Sequence, residues 1–235
     1  MSEYLLSTSG LTKQFGHHKA VNNVDLHVKK GAIYGFIGRN GAGKTTFLKM
    51  ISGLSKPTDG EIQMFGYRNE ELKNVRSRIS GLIEAPGIYG NMSAYHNLAI
   101  KCRLFGINDS KYIENILKIV GLSEVGKKKT KHFSLGMKQR LGIGLALVGE
   151  PDLLVLDEPI NGLDPQGIAE IRDMLLRLKE EQNMTIIISS HILEELSKIA
   201  THYGIIHNGS LIQELTREEL MTRCSERMEL TLDEP

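Results

Sequence analysis

The apolar positions of this chain fall into two regimes. Unbroken runs occur at 33–37 (IYGFI), 153–156 (LLVL) and 185–189 (TIIIS), each followed by helical spacing. Runs without alternation predict strands buried on both faces, and so a parallel sheet sandwiched between helices. After Asp164 the period changes. Pro165 suits a first helical turn, and Ile168, Ile171, Met174, Leu175 and Leu178 recur at helical spacing to form one core-facing stripe.

Between Gly87 and Gly149 no convincing strand occurs, and helices are predicted over 111–120 and 135–148. This is the pattern of an all-α insertion, about 87–149, in an α/β core made of about 1–86 and 150–215. In HYGIIHNGSLIQEL two apolar runs flank Asn208-Gly209, a strong hairpin signal. Thr216 and Glu219 then offer a capping box for a helix in a short extension, 216–235. The whole is expected to be one domain.

Charge narrows the choice of ligand. The 29 lysines and arginines nearly balance the 28 acids, so the chain as a whole lacks the basic field of a nucleic-acid binder. The two cysteines, Cys102 and Cys224, have no metal-ligand spacing, and no secretory leader is evident, which predicts a reducing compartment. No apolar run approaches the roughly 20 residues of a spanning helix.

The specific chemistry begins at FIGRNGAGKTTFLKM, where G-x-x-x-x-G-K-T occupies residues 38–45 between a predicted strand and a predicted helix. Gly38, Gly41 and Gly43 let the backbone curl. The N–H groups of the loop, with Asn40, Ala42 and Thr46 in it, then point at one phosphate at a helix N-terminus. Lys44 adds charge for the β- and γ-phosphates, and the Thr45 hydroxyl can ligate Mg²⁺. A nucleoside triphosphate site with Mg²⁺ is the reading.

LLVLDEP ends an aliphatic strand in Asp157-Glu158. The strand would deliver Asp157 to the carboxyl edge of the sheet, where it can hold the metal through water. Glu158, one residue further, is placed to polarise an attacking water.

In this order the motifs resemble those of the ATP-binding subunit of an ABC transporter, over essentially residues 3 to 215. HFSLGMKQR is similar to the family signature Leu-Ser-Gly-Gly-Gln in degenerate form: Ser134 and Gly136 are kept, while Leu135 replaces the first glycine and Met137 the glutamine. INGLD, ending at Asp164, matches the loop that meets the opposite subunit. His191 in SSH stands where the family carries its switch histidine, and Phe15 where an aromatic ring stacks on adenine. The resemblance implies a P-loop core with a mostly parallel sheet, an antiparallel β subdomain and an inserted helical subdomain. It also implies ATP and Mg²⁺ as cofactors, a head-to-tail dimer with a second copy or a related chain, and Ser134 and Gly136 closing over the ATP of the partner. The other partner implied is a membrane permease, with the chain peripheral on the cytoplasmic face of the membrane. Nucleic acid is not an expected partner.

The family's usual glutamine at the entry to the helical lobe is missing, since none occurs between Gln63 and Gln139. At that place, after RISGLI, stands Glu84, a carboxylate without donors that could join Thr45 and Asp157 at the metal. With EAPGIYGNMSAYHNL after it, the chain is similar to the subgroup that protects Gram-positive bacteria from lantibiotics and bacitracin-type peptides. The alternatives are a transporter of another substrate or a non-transport ATPase with the same cassette. Repair and chromosome ATPases carry long heptad arms that are absent here, and translation ATPases carry two cassettes. GKKKTKH reads as a solvated loop or, alternatively, as a contact with lipid headgroups or the permease, and Ile88, Tyr89 and Tyr95 as either core or a groove for the permease.

Overall fold

The computed structural model describes residues 4–226. Two long strands open the chain, β1 (Tyr4–Phe15) and β2 (His18–Lys29), paired antiparallel. Leu6, Leu11, Val21, Val24, Leu26 and Val28 turn inward from this pair and are fully buried. β3 (Ile33–Ile37) leads into α1 (Lys44–Ile51), and β4 (Asp59–Met64) and β5 (Tyr67–Arg68) complete a four-stranded antiparallel sheet of order β2-β1-β4-β5. An irregular stretch of 3₁₀ turns, Asn69–Arg78, then leads to β6 (Ile79–Leu82).

Three helices follow: α2 (Ala94–Leu104), α3 (Ser110–Ile119) and α4 (Leu135–Leu147). Each has a short polar residue at its N-cap, Ser93, Asp109 and Ser134, whose side chain accepts a first-turn N–H. Gly144 lets α4 approach α3 closely, since a Cβ there would lie 3.3 Å from Ile116 and Val120. Cys102 is fully buried in this lobe, and burial raises its thiol pKa.

The chain then returns to the core through β7 (Leu153–Asp157), α5 (Pro165–Gln182), β8 (Thr185–Ser190) and α6 (Leu193–Ser197). The predicted stripe of α5 is in place: Ile171, Met174, Leu175 and Leu178 are buried, Ile168 partly so, and Asp164 caps the helix ahead of Pro165. β9 (His202–His207) and β10 (Ser210–Thr216) form the Asn-Gly hairpin, with φ of 46° at Asn208 and 79° at Gly209. The second sheet runs β10-β9-β3-β8-β7-β6, parallel except for β10 at its edge. β7 and β8 are buried at every position, which is why they read as unbroken apolar runs. The capping box also forms: Thr216 N–H donates to Glu219 (2.7 Å), Glu219 N–H to Thr216 (3.3 Å), and these bonds lower the Glu219 pKa. It starts α7 (Arg217–Glu226); the rest of the extension, 227–235, lies outside the described residues.

Glu214 of β10 ties the two sheets together. It accepts the backbone N–H of His27 (2.9 Å) and the hydroxyl of buried Tyr34 (2.6 Å), whose pKa is raised by burial and by this carboxylate. Among the described residues no helix is long and apolar enough to cross a membrane.

Candidate nucleotide and metal site

The loop between β3 and α1 has the shape its glycines require. Gly41 and Gly43 adopt φ of 79° and 106°, which side-chain-bearing residues rarely do. At Gly43 a Cβ would also lie 2.3 Å from the Ala20 carbonyl, and at Gly38 2.5 Å from that of Ile206. The loop is braced from both sides. Gly209 N–H donates to Ala42 O (2.9 Å), and the Gly209 carbonyl accepts Asn22 N–H (2.8 Å). α1 opens at Lys44, so the N–H groups of Lys44, Thr45 and Thr46 have no acceptor within the helix. They face a cleft of about 300 Å³ lined by His18, Asn40, Gly41, Lys44, Thr45 and Glu158 among others. Donors at a helix N-terminus beside a lysine fit a phosphate chain.

Lys44 is 5% exposed. Its ammonium donates to the carbonyls of Gly38 (2.6 Å) and Arg39 (3.2 Å) and lies 3.2 Å from Glu158 Oε1. Thr45 Oγ1 donates to Asp157 Oδ2 at 2.7 Å, so a hydroxyl from α1 meets a carboxylate from the end of β7. This small oxygen pair fits Mg²⁺, which keeps several waters and takes few protein ligands. No group of three or more His, Cys, Asp or Glu side chains placed to hold a metal occurs among the described residues.

Glu158 follows Asp157 with φ of 48°, a left-handed backbone that costs a non-glycine residue about 1–2 kcal/mol. The turn swings its carboxylate between two cations or potential cations: Lys44 on Oε1, and His191 on Oε2, with the ring Nδ1 at 2.9 Å. A carboxylate only accepts, so Nδ1 carries the proton of that bond. Ser189, fully buried at the end of β8, is a residue the motifs did not single out. Its hydroxyl donates to Asp157 Oδ1 (2.6 Å) and accepts Glu158 N–H (3.0 Å), holding both acids. Its only trace in the sequence is the first of two serines that end the strand TIIISS.

The remaining expected residues lie elsewhere. Phe15 ends β1, 55% exposed, with the Lys13 ammonium 5.1 Å from its ring; its cross-strand partner His18 lines the cleft. Ser134, Gly136 and Asp164 do not line the cleft of their own chain. Ser134 caps α4 and Asp164 caps α5, and the two loops interlock: a Cβ on Gly162 would touch Leu135 (3.3 Å) and one on Gly136 would touch Leu163 (3.8 Å). Glu84 has φ of 66° and a mostly exposed side chain, and its carboxylate pairs with Lys49 Nζ at 2.5 Å. Lys49 is one helical turn beyond Thr45 on α1 and was also not anticipated. The Glu84 segment abuts α4, where a Cβ on Gly142 would lie 2.8 Å from Pro86.

A family model described as ABC transporter matches residues 21–161. The chain belongs to this ABC transporter family. As an ABC ATPase it is 47% identical over 233 residues to the bacitracin transport ATP-binding protein BcrA of Bacillus licheniformis, covering 98% of this chain and 76% of that one. It is 43% identical over 210 residues to the lantibiotic transport ATP-binding protein SrtF of Streptococcus pyogenes, covering 89% and 90% respectively. Among solved structures it matches the ADP conformation of MJ1267, an ATP-binding cassette of an ABC transporter, with a TM-score of 0.83, 27% identity and coverage of 99% and 100%. Its fold is that of the ABC ATP-binding cassettes, and its activity is ATP binding and hydrolysis as a transporter subunit.

Proposed function

We propose that this ABC ATPase drives a separate membrane permease that removes a bacitracin- or lantibiotic-type peptide from the cell that carries it, working from the cytoplasmic face of the membrane. The observation that carries the catalytic half of this reading is the placement of Glu158 between Lys44 and His191, beside the Thr45–Asp157 pair. The names of the relatives support the substrate half.

The proposed roles follow from the atoms. The loop N–H groups and Lys44 hold the phosphates, Phe15 stacks on adenine, and Thr45 and Asp157 hold Mg²⁺, which neutralises charge on the phosphates when bound. Glu158 draws a proton from water at its carboxylate, and His191 orients that carboxylate through Nδ1. Ser134, Gly136 and Asp164, remote from their own cleft, serve the nucleotide of a second copy arranged head to tail. Glu84, paired with Lys49 and packed beside α4, links the metal site to the helical lobe.

A peptide-sensitive host carrying the chain with its cognate permease tests this reading. Survival against bacitracin or a lantibiotic should rise over the host lacking the chain, and Glu158→Gln should abolish the gain. Equal survival of all three strains with both peptide classes would overturn the substrate assignment.

A further inference from the structure

The half-site assigned above to a second copy is built from two separate parts of this chain. Ser134 and Gly136 open α4, which belongs to the helical lobe, whereas Asp164 opens α5, which runs between β7 and β8 of the core. Both must reach one nucleotide together, so their relative placement has to be fixed across the boundary between lobe and core. Leu135 beside Gly162 and Leu163 beside Gly136 supply an apolar contact there. One charged tie also crosses the boundary: Arg140 Nη1 of α4 lies 3.3 Å from Oε2 of Glu170 on α5. Among the described residues it is the one ion pair within 4.0 Å that joins residues 87–149 to the rest of the chain. Its members stand alike in their helices. Each is six residues beyond its N-cap (134 to 140, 164 to 170), about 9 Å along the axis.

The surroundings hold the guanidinium in place. Its Nη1 also donates to the carbonyl of Gly121 (3.1 Å), in the turn that ends α3, where a cation satisfies the last carbonyls of a helix. Gly121 adopts φ of 64°, and a Cβ there would lie 2.9 Å from that nitrogen, so the glycine leaves the space that the arginine fills. On the other side, Gln166 donates to Oε1 of Glu170 (3.1 Å). The Arg140 side chain is only 18% exposed, so the pair is screened less than one at an open surface.

We propose that Arg140 and Glu170 are positioning residues for ATP hydrolysis: the pair keeps the turn Ser134–Gly136 in register with the loop that ends at Asp164, so that both close together on the nucleotide of the second copy. Neither residue lines the nucleotide cleft of its own chain, so each acts through the elements it ties. The inference rests on the head-to-tail arrangement of the proposed function and adds the pair that holds its two contributions together.

The experiment follows ATP-dependent dimer formation by size-exclusion chromatography over a range of protein concentrations, in the Glu158→Gln background that retains ATP. ATP affinity is measured in parallel at concentrations where the chain is monomeric. Arg140→Met and Glu170→Gln should each raise the concentration for half-dimerisation by about fivefold, the scale of one partly buried ion pair. Monomer affinity should stay within about twofold, because the P-loop is untouched; damage to the fold would lower both. Arg140→Lys keeps the charge without the planar fork and should fall between the parent and Arg140→Met. The double variant Arg140→Met with Glu170→Gln should dimerise no worse than the weaker single, since the two act as one unit. Parent-like dimerisation by both single variants, additive losses in the double variant, or an equal loss of monomer affinity would each overturn the proposal. Ser134→Arg is the control. If it too dimerises like the parent, the head-to-tail reading falls and the proposal with it, whereas a block by Ser134→Arg alone removes only the positioning role.

Discussion

The hydroxyl of Ser189 donates to Oδ1 of Asp157 across 2.6 Å, with neither side chain open to solvent. The same oxygen accepts Glu158 N–H, so one serine orients the proposed metal carboxylate and the peptide that carries the proposed base. Ser189→Ala should leave both partners short of a bond and lower stability by about 1–3 kcal/mol. It should also raise the Mg²⁺ concentration for half-maximal hydrolysis. Denaturant unfolding and a Mg²⁺ titration check the two effects; a variant as stable as the parent would show that water replaces the hydroxyl.

Glu158→Gln keeps size and acceptor but removes the basic oxygen. Hydrolysis should fall by about 10²–10⁴-fold while ATP binding persists. A long-lived ATP-bound dimer should then be visible by size-exclusion chromatography. Undiminished turnover would pass the role of base to another group, His191 first.

Ser134 lies exposed at the start of α4, outside its own cleft. Ser134→Arg should therefore leave monomer affinity for ATP unchanged and block the ATP-dependent dimer by placing a bulky cation at the partner's γ-phosphate. A variant that still dimerises with ATP would remove this degenerate signature from the interface.

The Glu84–Lys49 pair makes opposite predictions for its two ends. Glu84→Ala should shift ATP affinity by about 1 kcal/mol or less but reduce protection of the host. Glu84→Gln should be milder and need more Mg²⁺. Lys49→Met should cost under about 1 kcal/mol of stability, as an exposed ion pair contributes little. By releasing the carboxylate toward the metal, it should lower the Mg²⁺ requirement. Overlaid titrations for all three variants would make Glu84 a bystander of the metal site.

What could be read from the chain alone follows from where each signal is stored. The strands β3, β7 and β8 announce themselves because burial on both faces leaves only apolar residues. β1 and β2 do not: register shifts, with Gly10 at φ 59° and Asn23 at φ 52°, break the alternation that would mark them. α2 is equally faint, since its buried face includes Asn97, whose amide bonds the carbonyls of Tyr89 and Ser93. In the site, motifs identify Lys44, Thr45, Asp157 and Glu158, but the bond from Thr45 to Asp157 joins residues 112 positions apart, and Ser189 and Lys49 gain meaning only from their neighbours.

The brace on the phosphate loop has a consequence for how the protein comes into being. Gly43 leans on Ala20, and Ala42 receives its bond from Gly209, so the loop needs segments made before and long after it. During synthesis from the N-terminus, every catalytic motif through His191 is made before the β9–β10 turn. A nascent chain halted there holds all the catalytic side chains and an unbraced cradle, so competence for nucleotide arrives late, with the last hairpin.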